Sequence, residues 1–158
     1  MDRFSFLAQN EDETRRLGAA LAAALPDGST VSLVGTLGAG KTRLVQAIAE
    51  ACGVPPDTVL SPTFVLCQEY HADRTLYHMD AYRVKDDDEF LQLGPEEYFD
   101  SEGITLVEWA DRVIDCLPPD RIEIRIEVAG ETTRDFEIVA VGERLSTVPM
   151  KLGDALRR

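Results

Sequence analysis

The amino-acid sequence predicts an α/β fold in which a mixed β-sheet is flanked by helices and ends in an antiparallel hairpin. Strand and helix patterns alternate in the first half of the chain, as they do around partly parallel sheets. Two strand patterns joined by a short turn close the second half. The 158 residues, 44% of them hydrophobic and 28% charged, suffice for one domain with a core of ordinary size.

Short patterns justify the elements in chain order. Asn10 followed by Glu13 is typical of a helix N-cap with its capping-box partner, and leucines at helical spacing extend this helix to residue 25. The runs 64–71 and 75–79, separated by three residues, predict a hairpin. Predicted strands cover residues 4–6, 31–34, 64–71, 75–79, 104–107, 121–128 and 134–141; predicted helices cover residues 11–25, 44–52 and 95–99, with a further helix start at the acidic run 86–89.

Charge and cysteine content narrow the function classes. Lys and Arg number 16 against 29 Asp and Glu, so the formal net charge is −13. That charge repels phosphate backbones and anionic lipid, which argues against a broad nucleic-acid-binding face. The three cysteines form no C-x-x-C pair, which argues against a disulfide framework or a cysteine zinc site. Neither a signal peptide nor a membrane span is evident, and we expect a cytoplasmic protein.

The strongest motif is the segment 35–42, Gly-Thr-Leu-Gly-Ala-Gly-Lys-Thr, which satisfies G-x-x-x-x-G-K-S/T in full. A strand pattern precedes it and a helix pattern follows, so the predicted sheet is P-loop NTPase-like. Glycines let the backbone wrap around an anion, and we expect the N–H groups of residues 38–42 to point at phosphates. Lys41 is expected between the β- and γ-phosphates and the Thr42 hydroxyl on Mg²⁺. Without ligand, we expect Lys41 to face solvent.

Two carboxylates are candidates for the acidic partner of this loop. Glu108 follows the apolar run 104–107, and Asp80 follows the run 76–79. Both positions therefore lie at the ends of predicted strands. Either carboxylate could hold Mg²⁺, orient the attacking water or accept its proton.

Three further features have two interpretations each. His78 and Asp80 form His-x-Asp, which suggests a metal pair, but we favour a strand histidine with a satisfied hydrogen bond. Trp109, the only tryptophan, either has a surface role, as a shield over the site or as part of a partner surface, or packs in the core. Ser61-Pro62-Thr63 is interpreted first as a rigid turn. Its alternative is a nucleotide-sensing loop in which the Thr63 hydroxyl meets the γ-phosphate or the metal-bound water.

The sequence favours ATP over GTP. Guanine-specific switches usually recognise the base with an N-K-x-D segment. The only asparagine in this chain, Asn10, is followed directly by Glu11 and not by lysine. The chain also lacks the arginine-rich cluster that often forms the lid of a small-molecule kinase. A kinase with a bound acceptor is therefore the second interpretation, and a nucleotide-dependent binding module with negligible turnover is the third.

Taken together and in order, these motifs resemble those of the TsaE (YjeE) family, the small bacterial ATPase of tRNA threonylcarbamoyladenosine biosynthesis. The resemblance covers roughly residues 4–141. Its matching segments are residues 35–42, Ser61-Pro62-Thr63-Phe64, Tyr70, His78-Met79-Asp80-Ala81-Tyr82-Arg83, Gly94, Glu97-Tyr98-Phe99 and Val107-Glu108-Trp109. The loop alone is generic, but the later motifs at these distances are specific to the family.

The resemblance implies a function and a set of partners. The family member is an Mg²⁺-dependent ATPase. It works with two proteins that are related to each other, TsaB and TsaD, to modify the adenosine beside the anticodon of certain tRNAs. The transfer chemistry belongs to TsaD, and the ATPase drives or resets the complex. The acidic charge fits this division, because such a subunit reaches tRNA only through the complex.

The resemblance also implies the site residues. The expected catalytic residues are Lys41, Thr63, Asp80 and Glu108; the expected nucleotide-binding residues are Glu11, Leu37, Gly38, Ala39, Gly40, Lys41 and Thr42; and the expected Mg²⁺ ligands are Thr42 and Glu108. Thr14 and Gly18 also match the N-terminal pattern of the family. Two departures are Ala81, where leucine is usual, and Glu131, where arginine is common near the base.

We expect two regions along the chain. Residues 1–141 form the P-loop ATPase domain. Residues 142–158 form a C-terminal tail that matches nothing in the family and shows no strong pattern beyond a last turn near Leu152 to Leu156.

Overall fold

A computed structural model of the chain describes residues 3–36, 38–56, 58–59 and 67–156. The strands are β1 (Arg3–Ala8), β2 (Thr30–Gly35), β3 (Cys67–His71), β4 (Thr75–Asp80), β5 (Ile104–Glu108), β6 (Arg121–Val128) and β7 (Arg134–Val141). The helices are α1 (Glu11–Ala24), α2 (Lys41–Ala51), α3 (Asp87–Leu91), α4 (Pro95–Phe99) and α5 (Val148–Leu156). A 3₁₀ segment covers Ala110–Cys116.

The strands form one mixed sheet in the order β1-β7-β6-β2-β5-β4-β3. β2 runs parallel to both β5 and β6, and β4 runs parallel to β5. The outer pairs β1–β7, β6–β7 and β3–β4 are antiparallel. The predicted mixed sheet with flanking helices and a C-terminal hairpin is therefore confirmed, and the parallel centre brings the ends of β2, β4 and β5 to one edge.

Apolar side chains cover both faces of the sheet. The larger cluster joins the sheet to α1, α2 and α5, and the smaller one joins it to α3 and the 3₁₀ segment. Leu106 and Val107, adjacent on β5, belong to different clusters because successive strand side chains point to opposite faces. β5 is therefore buried on both sides, which fits its uninterrupted apolar run.

The first helix begins where the capping pattern predicts. The Asn10 side chain accepts a hydrogen bond from the Glu13 backbone N–H at 2.9 Å, and the Glu13 carboxylate accepts one from the Gln9 N–H at 2.8 Å. Gly18 then lets α1 approach α2 closely. A Cβ at Gly18 would lie 2.5 Å from Ala47 Cβ and 2.8 Å from the Ala47 carbonyl carbon.

The end of the chain forms a helix that contains the last turn predicted near Leu152 to Leu156 and begins earlier, at Val148. Residues beyond 141 continue into α5, which contacts α1 and β1 and buries Leu152 and Leu156 in the larger cluster. The helical pattern is weak in sequence because Pro149 and Gly153 are poor helix formers. Pro149 is nevertheless tolerated because it stands in the first turn, where its missing N–H has no intrahelical partner to lose.

The start of β3 and the segment after β5 are two places where the observed and predicted elements do not coincide. β3 begins at Cys67, and residues 64–66 of the predicted strand lie outside the described residues. The 3₁₀ segment after β5 has no counterpart in the sequence prediction. Within the part of the chain that the structure describes, no helix is both long enough and apolar enough to cross a membrane.

Candidate functional site

The predicted phosphate loop lies between the end of β2 and the start of α2, in the centre of the sheet. Gly38 and Gly40 have φ angles of 81° and 111°, in the left-handed region that side chains with a Cβ rarely adopt. Leu37 lies outside the described residues. The amide of Ala39 donates to Thr36 O at 3.0 Å, so it is engaged within the loop instead of pointing outward. The strand–loop–helix arrangement itself is as predicted.

Lys41 is buried at the foot of this loop, with only 5% of its surface exposed. Its Nζ donates to the carbonyl oxygens of Gly35 and Thr36 at 2.6 and 2.9 Å and lies 3.8 Å from the centroid of the Trp109 ring. The expectation that Lys41 faces solvent is therefore wrong, because two carbonyls and an aromatic face hold the ammonium inside.

The charge of Lys41 is balanced by nearby carboxylates. Burial lowers the pKa of the Lys41 ammonium, whereas the negative charges of Glu108, Asp111 and Asp80 raise it. The Lys41 ammonium is thus a cation near three carboxylates, and it lies beside the end of β2, where the phosphate-binding motif begins.

Glu108 is the last residue of β5 and is 3% exposed. The Thr42 hydroxyl lies 3.0 Å from Glu108 Oε1 and 2.9 Å from Oε2. His78 Nε2 lies 2.5 Å from Glu108 Oε2. The structure therefore brings together the two residues predicted to hold Mg²⁺, and it adds the histidine that the sequence placed on the neighbouring strand.

Asp80 is the register partner of Glu108 on the adjacent parallel strand, so both side chains project from the same face and edge of the sheet. Asp80 Oδ1 accepts a hydrogen bond from the Tyr82 backbone N–H at 2.8 Å. Burial raises the pKa of the Asp80 carboxyl, and the charge of Glu108 raises it further. The Tyr82 N–H, His78 and Lys41 act in the opposite direction.

The donor set fits a small hard cation. No group of three or more His, Cys, Asp or Glu side chains capable of holding a metal occurs among the described residues. Mg²⁺ sites in nucleotide-binding proteins need no such group, because they use one or two protein oxygens together with phosphate oxygens and water. Thr42 and Glu108 supply that pair of oxygens, and the Glu108 carboxylate is buried where an uncompensated charge is costly.

A cavity of about 470 Å³ opens beside the loop, within the usual size range of small-molecule sites. It is formed where the start of α1, the loop and the last hairpin meet. Its lining residues are Asn10, Glu11, Thr14, Gly38, Gly40, Arg43, Glu131, Thr132, Arg134 and Phe136. Glu11 and Thr14 thus lie beside the loop as expected, whereas Gly18 is buried against α2 and serves helix packing.

Comparison with known proteins decides the family. The sequence profile described as threonylcarbamoyl adenosine biosynthesis protein TsaE matches residues 8–136. The chain belongs to the TsaE family. It is 39% identical to the tRNA threonylcarbamoyladenosine biosynthesis protein TsaE of Bacillus subtilis (strain 168), over 91% of this chain and 90% of that protein. It is 34% identical to the TsaE protein of Treponema pallidum (strain Nichols), over 84% and 97%.

The fold is likewise shared with a solved structure. The crystal structure of Bacillus subtilis YdiB superposes with a TM-score of 0.81 at 33% sequence identity, covering 96% of this chain and 95% of that one. The resemblance to the TsaE family drawn from the short motifs is thereby confirmed.

Sequence reasoning missed two basic residues of this TsaE chain. Arg134 Nε donates to Ala39 O at 3.1 Å, and Arg134 Nη1 donates to Gly130 O and Thr133 O at 3.0 Å each, so the last hairpin is tied to the loop. Arg43 forms an ion pair with Glu11 at 3.2 Å across the cavity mouth. Arg43 directly follows the motif 35–42 without being part of its pattern, whereas Arg134 is brought to the loop only by the fold.

The Trp109 ring lies at the candidate site. It is the only described residue besides glycine with a positive φ, 58°, and its ring lies over Lys41 and 4.8 Å from the Tyr82 ring centroid. The indole therefore covers Lys41 with one face and also packs, partly buried, against the smaller core cluster. Thr63, with the rest of Ser61-Pro62-Thr63, lies outside the described residues, and its role stays a prediction.

Proposed function

We propose that this TsaE chain is the Mg²⁺-dependent subunit that binds and slowly hydrolyses ATP during tRNA threonylcarbamoyladenosine formation. The observation that carries the proposal is the grouping of Lys41, Thr42 and Glu108 at the glycine-rich loop. The Lys41 ammonium donates to two loop carbonyls, and the Thr42 hydroxyl contacts the Glu108 carboxylate, all within 3.0 Å. A cation and two oxygen ligands beside a helix N-terminus form an arrangement suited to polyphosphate.

Lys41 is the phosphate-binding side chain in this proposal. Its ammonium already lies at the loop, held by two carbonyl oxygens that a nucleotide would replace with charged phosphate oxygens. Hydrogen bonds to charged acceptors are stronger than those to neutral carbonyls, so the exchange favours bound nucleotide. Trp109 covers the ammonium on its other side and limits the access of water.

Thr42 and Glu108 are the residues that would hold Mg²⁺. Bound there, the ion supplies Lewis-acid neutralisation of charge that develops on the phosphate oxygens. Asp80 lies beside them on the adjacent strand and is the group available to orient a water molecule or accept its proton. Its raised pKa suits that exchange better than an ordinary surface carboxyl would.

The cavity beside the loop is the proposed site of the base. Glu11 and Thr14 line one side and the hairpin residues Arg134 and Phe136 line the other. We propose adenine as the base, since the chain lacks the segment with which guanine-specific switches read their base. Glu131, where an arginine is common in the family, also lies at this cavity and gives it an acidic contact.

We further propose that TsaB and TsaD are the partners and that tRNA is reached only through them. The net charge of −13 supports this division, because it opposes direct contact with a phosphate backbone. The free thiols of Cys52, Cys67 and Cys116 support a reducing, cytoplasmic setting.

A small-molecule kinase is the second candidate, favoured by one observation. A second cavity, of about 590 Å³, lies beside Thr36 and Trp109 and has Asp111 and Arg125 among its lining residues. An acceptor bound there would stand close to the loop.

Phosphate release separates these functions. The full chain is incubated with Mg²⁺ and ATP, without any acceptor, in the presence and absence of purified TsaB and TsaD. Slow release that changes when both partners are added supports the ATPase. In a parallel arm with γ-phosphate-labelled ATP and a pool of metabolites, transfer of the label to a metabolite supports the kinase. Neither release nor transfer under any condition contradicts both.

A further inference from the structure

His78 is a buried polar residue to which the proposed chemistry assigns no role. It lies on β4, two residues before Asp80, and its side chain has no exposed surface. Nε2 contacts Glu108 Oε2 at 2.5 Å, while Nδ1 is buried without a hydrogen-bond partner among the described residues. The sequence-based interpretation of a strand histidine with a satisfied hydrogen bond is therefore correct for only one of its two nitrogens.

The unpartnered nitrogen argues against a purely structural role. A buried polar atom without a hydrogen bond is unfavourable, and an apolar side chain of similar size at this position would avoid that cost. Among the described residues, the imidazole forms its one hydrogen bond with Glu108. The hydrogen bond to Glu108, the carboxylate proposed to hold Mg²⁺, thus offsets part of the unfavourable free energy of burying the imidazole.

The contacts of Glu108 show what His78 adds there. The Thr42 hydroxyl is nearly equidistant from the two carboxylate oxygens, at 3.0 and 2.9 Å, so it does not distinguish one from the other. His78 contacts Oε2 alone. Because a carboxylate only accepts hydrogen bonds, His78 Nε2 carries the proton and donates it. The imidazole fixes the rotation of the carboxylate and leaves Oε1 for another ligand.

We propose that His78 is a positioning residue that orients the Glu108 carboxylate for Mg²⁺ without binding the ion itself. The inference rests on the proposed Mg²⁺–nucleotide site and goes beyond it by naming the group that sets the direction of its carboxylate. Hydrogen-bonding partners of metal ligands typically change metal affinity 10- to 100-fold when they are lost.

The test compares three variants of the full chain. His78→Leu removes the donor with little change in volume. His78→Gln restores a donor, because its Nε2 amide can reach the position of the imidazole Nε2. His71→Leu is the matched control, since the only other histidine is exposed on β3 and contacts exposed Glu69 at 3.7 Å.

The measurement is ADP affinity by calorimetry across a Mg²⁺ titration, together with the melting temperature of each variant. In His78→Leu we expect the apparent Mg²⁺ affinity to fall about 10- to 100-fold while Mg²⁺-free ADP affinity is unchanged. His78→Gln should recover most of the loss, and His71→Leu should match the wild type. Unchanged Mg²⁺ dependence in His78→Leu, or an equal loss in both His78 variants, overturns the inference.

Two further readouts keep the outcomes distinct. If the wild type itself shows no effect of Mg²⁺ on ADP affinity, the proposed function has failed and not only the role of His78. If His78→Leu does not fold, imidazole nitrogen NMR of the wild type decides, because only two histidines contribute signals. We expect a protonated Nε2 on His78 that shifts more than His71 when Mg²⁺ is added to the ADP complex. An unprotonated or unresponsive Nε2 contradicts the inference.

Discussion

The Asp80 carboxylate, which is proposed to act in hydrolysis, lowers the stability of the fold when it is ionised. Burial raises its pKa above the ordinary value of 3.8, so the folded protein holds the proton more tightly than the unfolded chain does. The ionised carboxylate therefore destabilises the fold at every pH above the folded pKa. This unfavourable contribution disappears as the pH falls through the folded pKa towards 3.8, where both states are protonated.

Removing the Asp80 charge should therefore stabilise the fold. Asp80→Asn keeps an oxygen for the Tyr82 N–H and removes the half-buried charge, so the variant should melt at a higher temperature than the wild type near neutral pH. The difference should shrink as the pH falls from neutral through the raised folded pKa of Asp80. Exposed Asp154→Asn is the control, with no comparable gain. A lower melting temperature for Asp80→Asn at neutral pH would show that the charge is stabilising.

Glu108 and Asp80 face the same edge of the sheet but are predicted to act differently. Glu108→Ala removes the carboxylate that contacts Thr42 and should weaken the Mg²⁺ dependence of nucleotide binding. Asp80→Ala should keep that dependence and still slow hydrolysis. Both are measured by Mg²⁺ titration of ADP affinity and by phosphate release, with exposed Glu50→Ala as control. The opposite pattern would exchange the two assignments.

At the scale of elements, the contact between α1 and α2 depends on the missing side chain of Gly18. In Gly18→Ala the new Cβ would meet Ala47 Cβ at 2.5 Å and Ala47 backbone carbon at 2.8 Å. Overpacking of this kind costs about 1–3 kcal/mol, which outweighs a gain in helix propensity of about 1 kcal/mol because backbone atoms cannot rotate away.

Thermal melting tests this prediction against a matched glycine. We expect Gly18→Ala to lower the melting temperature by about 2–4 °C for each 1 kcal/mol lost. Gly153→Ala in α5 is the control, because its new Cβ would only touch Phe4 ring carbons at 3.7 and 3.8 Å and gains helix propensity. If both variants are stabilised, the two helices are not in the close contact described.

The elements also show how far sequence patterns reach. β6 was predictable because its alternation of isoleucines and charged residues repeats over eight residues, and α1 because its cap and leucines agree. α5 was not, since Pro149 and Gly153 weaken the local helix signal and its burial depends on packing against α1 and β1. Local propensity fails where tertiary contacts decide the structure.

The same division holds within the candidate site. Lys41 and Thr42 were predictable because one short motif contains them, and Glu108 because it ends an apolar strand. The contact between His78 and Glu108 joins residues 30 positions apart, and that between Arg134 and Ala39 joins residues 95 apart. Only the sheet order brings these pairs together. The buried position of Lys41 likewise depends on Trp109, whose ring is placed by the turn after β5.

At the scale of the whole molecule, the cavity proposed to hold the base is assembled from the first helix, the loop and the last hairpin, which are far apart in sequence. ADP should therefore raise the melting temperature more than GDP at equal concentration, since ligand protection grows with the logarithm of concentration over dissociation constant. Thermal melting with each nucleotide and Mg²⁺ measures this. A larger shift with GDP would overturn the assignment of adenine.

Lys41, Thr42 and Glu108 form the proposed Mg²⁺–ATP site. Calorimetric titration of ATP with Mg²⁺ into the wild type and Lys41→Ala measures whether they bind the nucleotide, with exposed Lys151→Ala as control. Because hydrogen bonds to charged groups contribute about 1.5–3 kcal/mol, we predict that Lys41→Ala loses roughly tenfold or more in ATP affinity while Lys151→Ala binds as the wild type does. Unchanged ATP binding in Lys41→Ala, or none in the wild type, would contradict the proposed site.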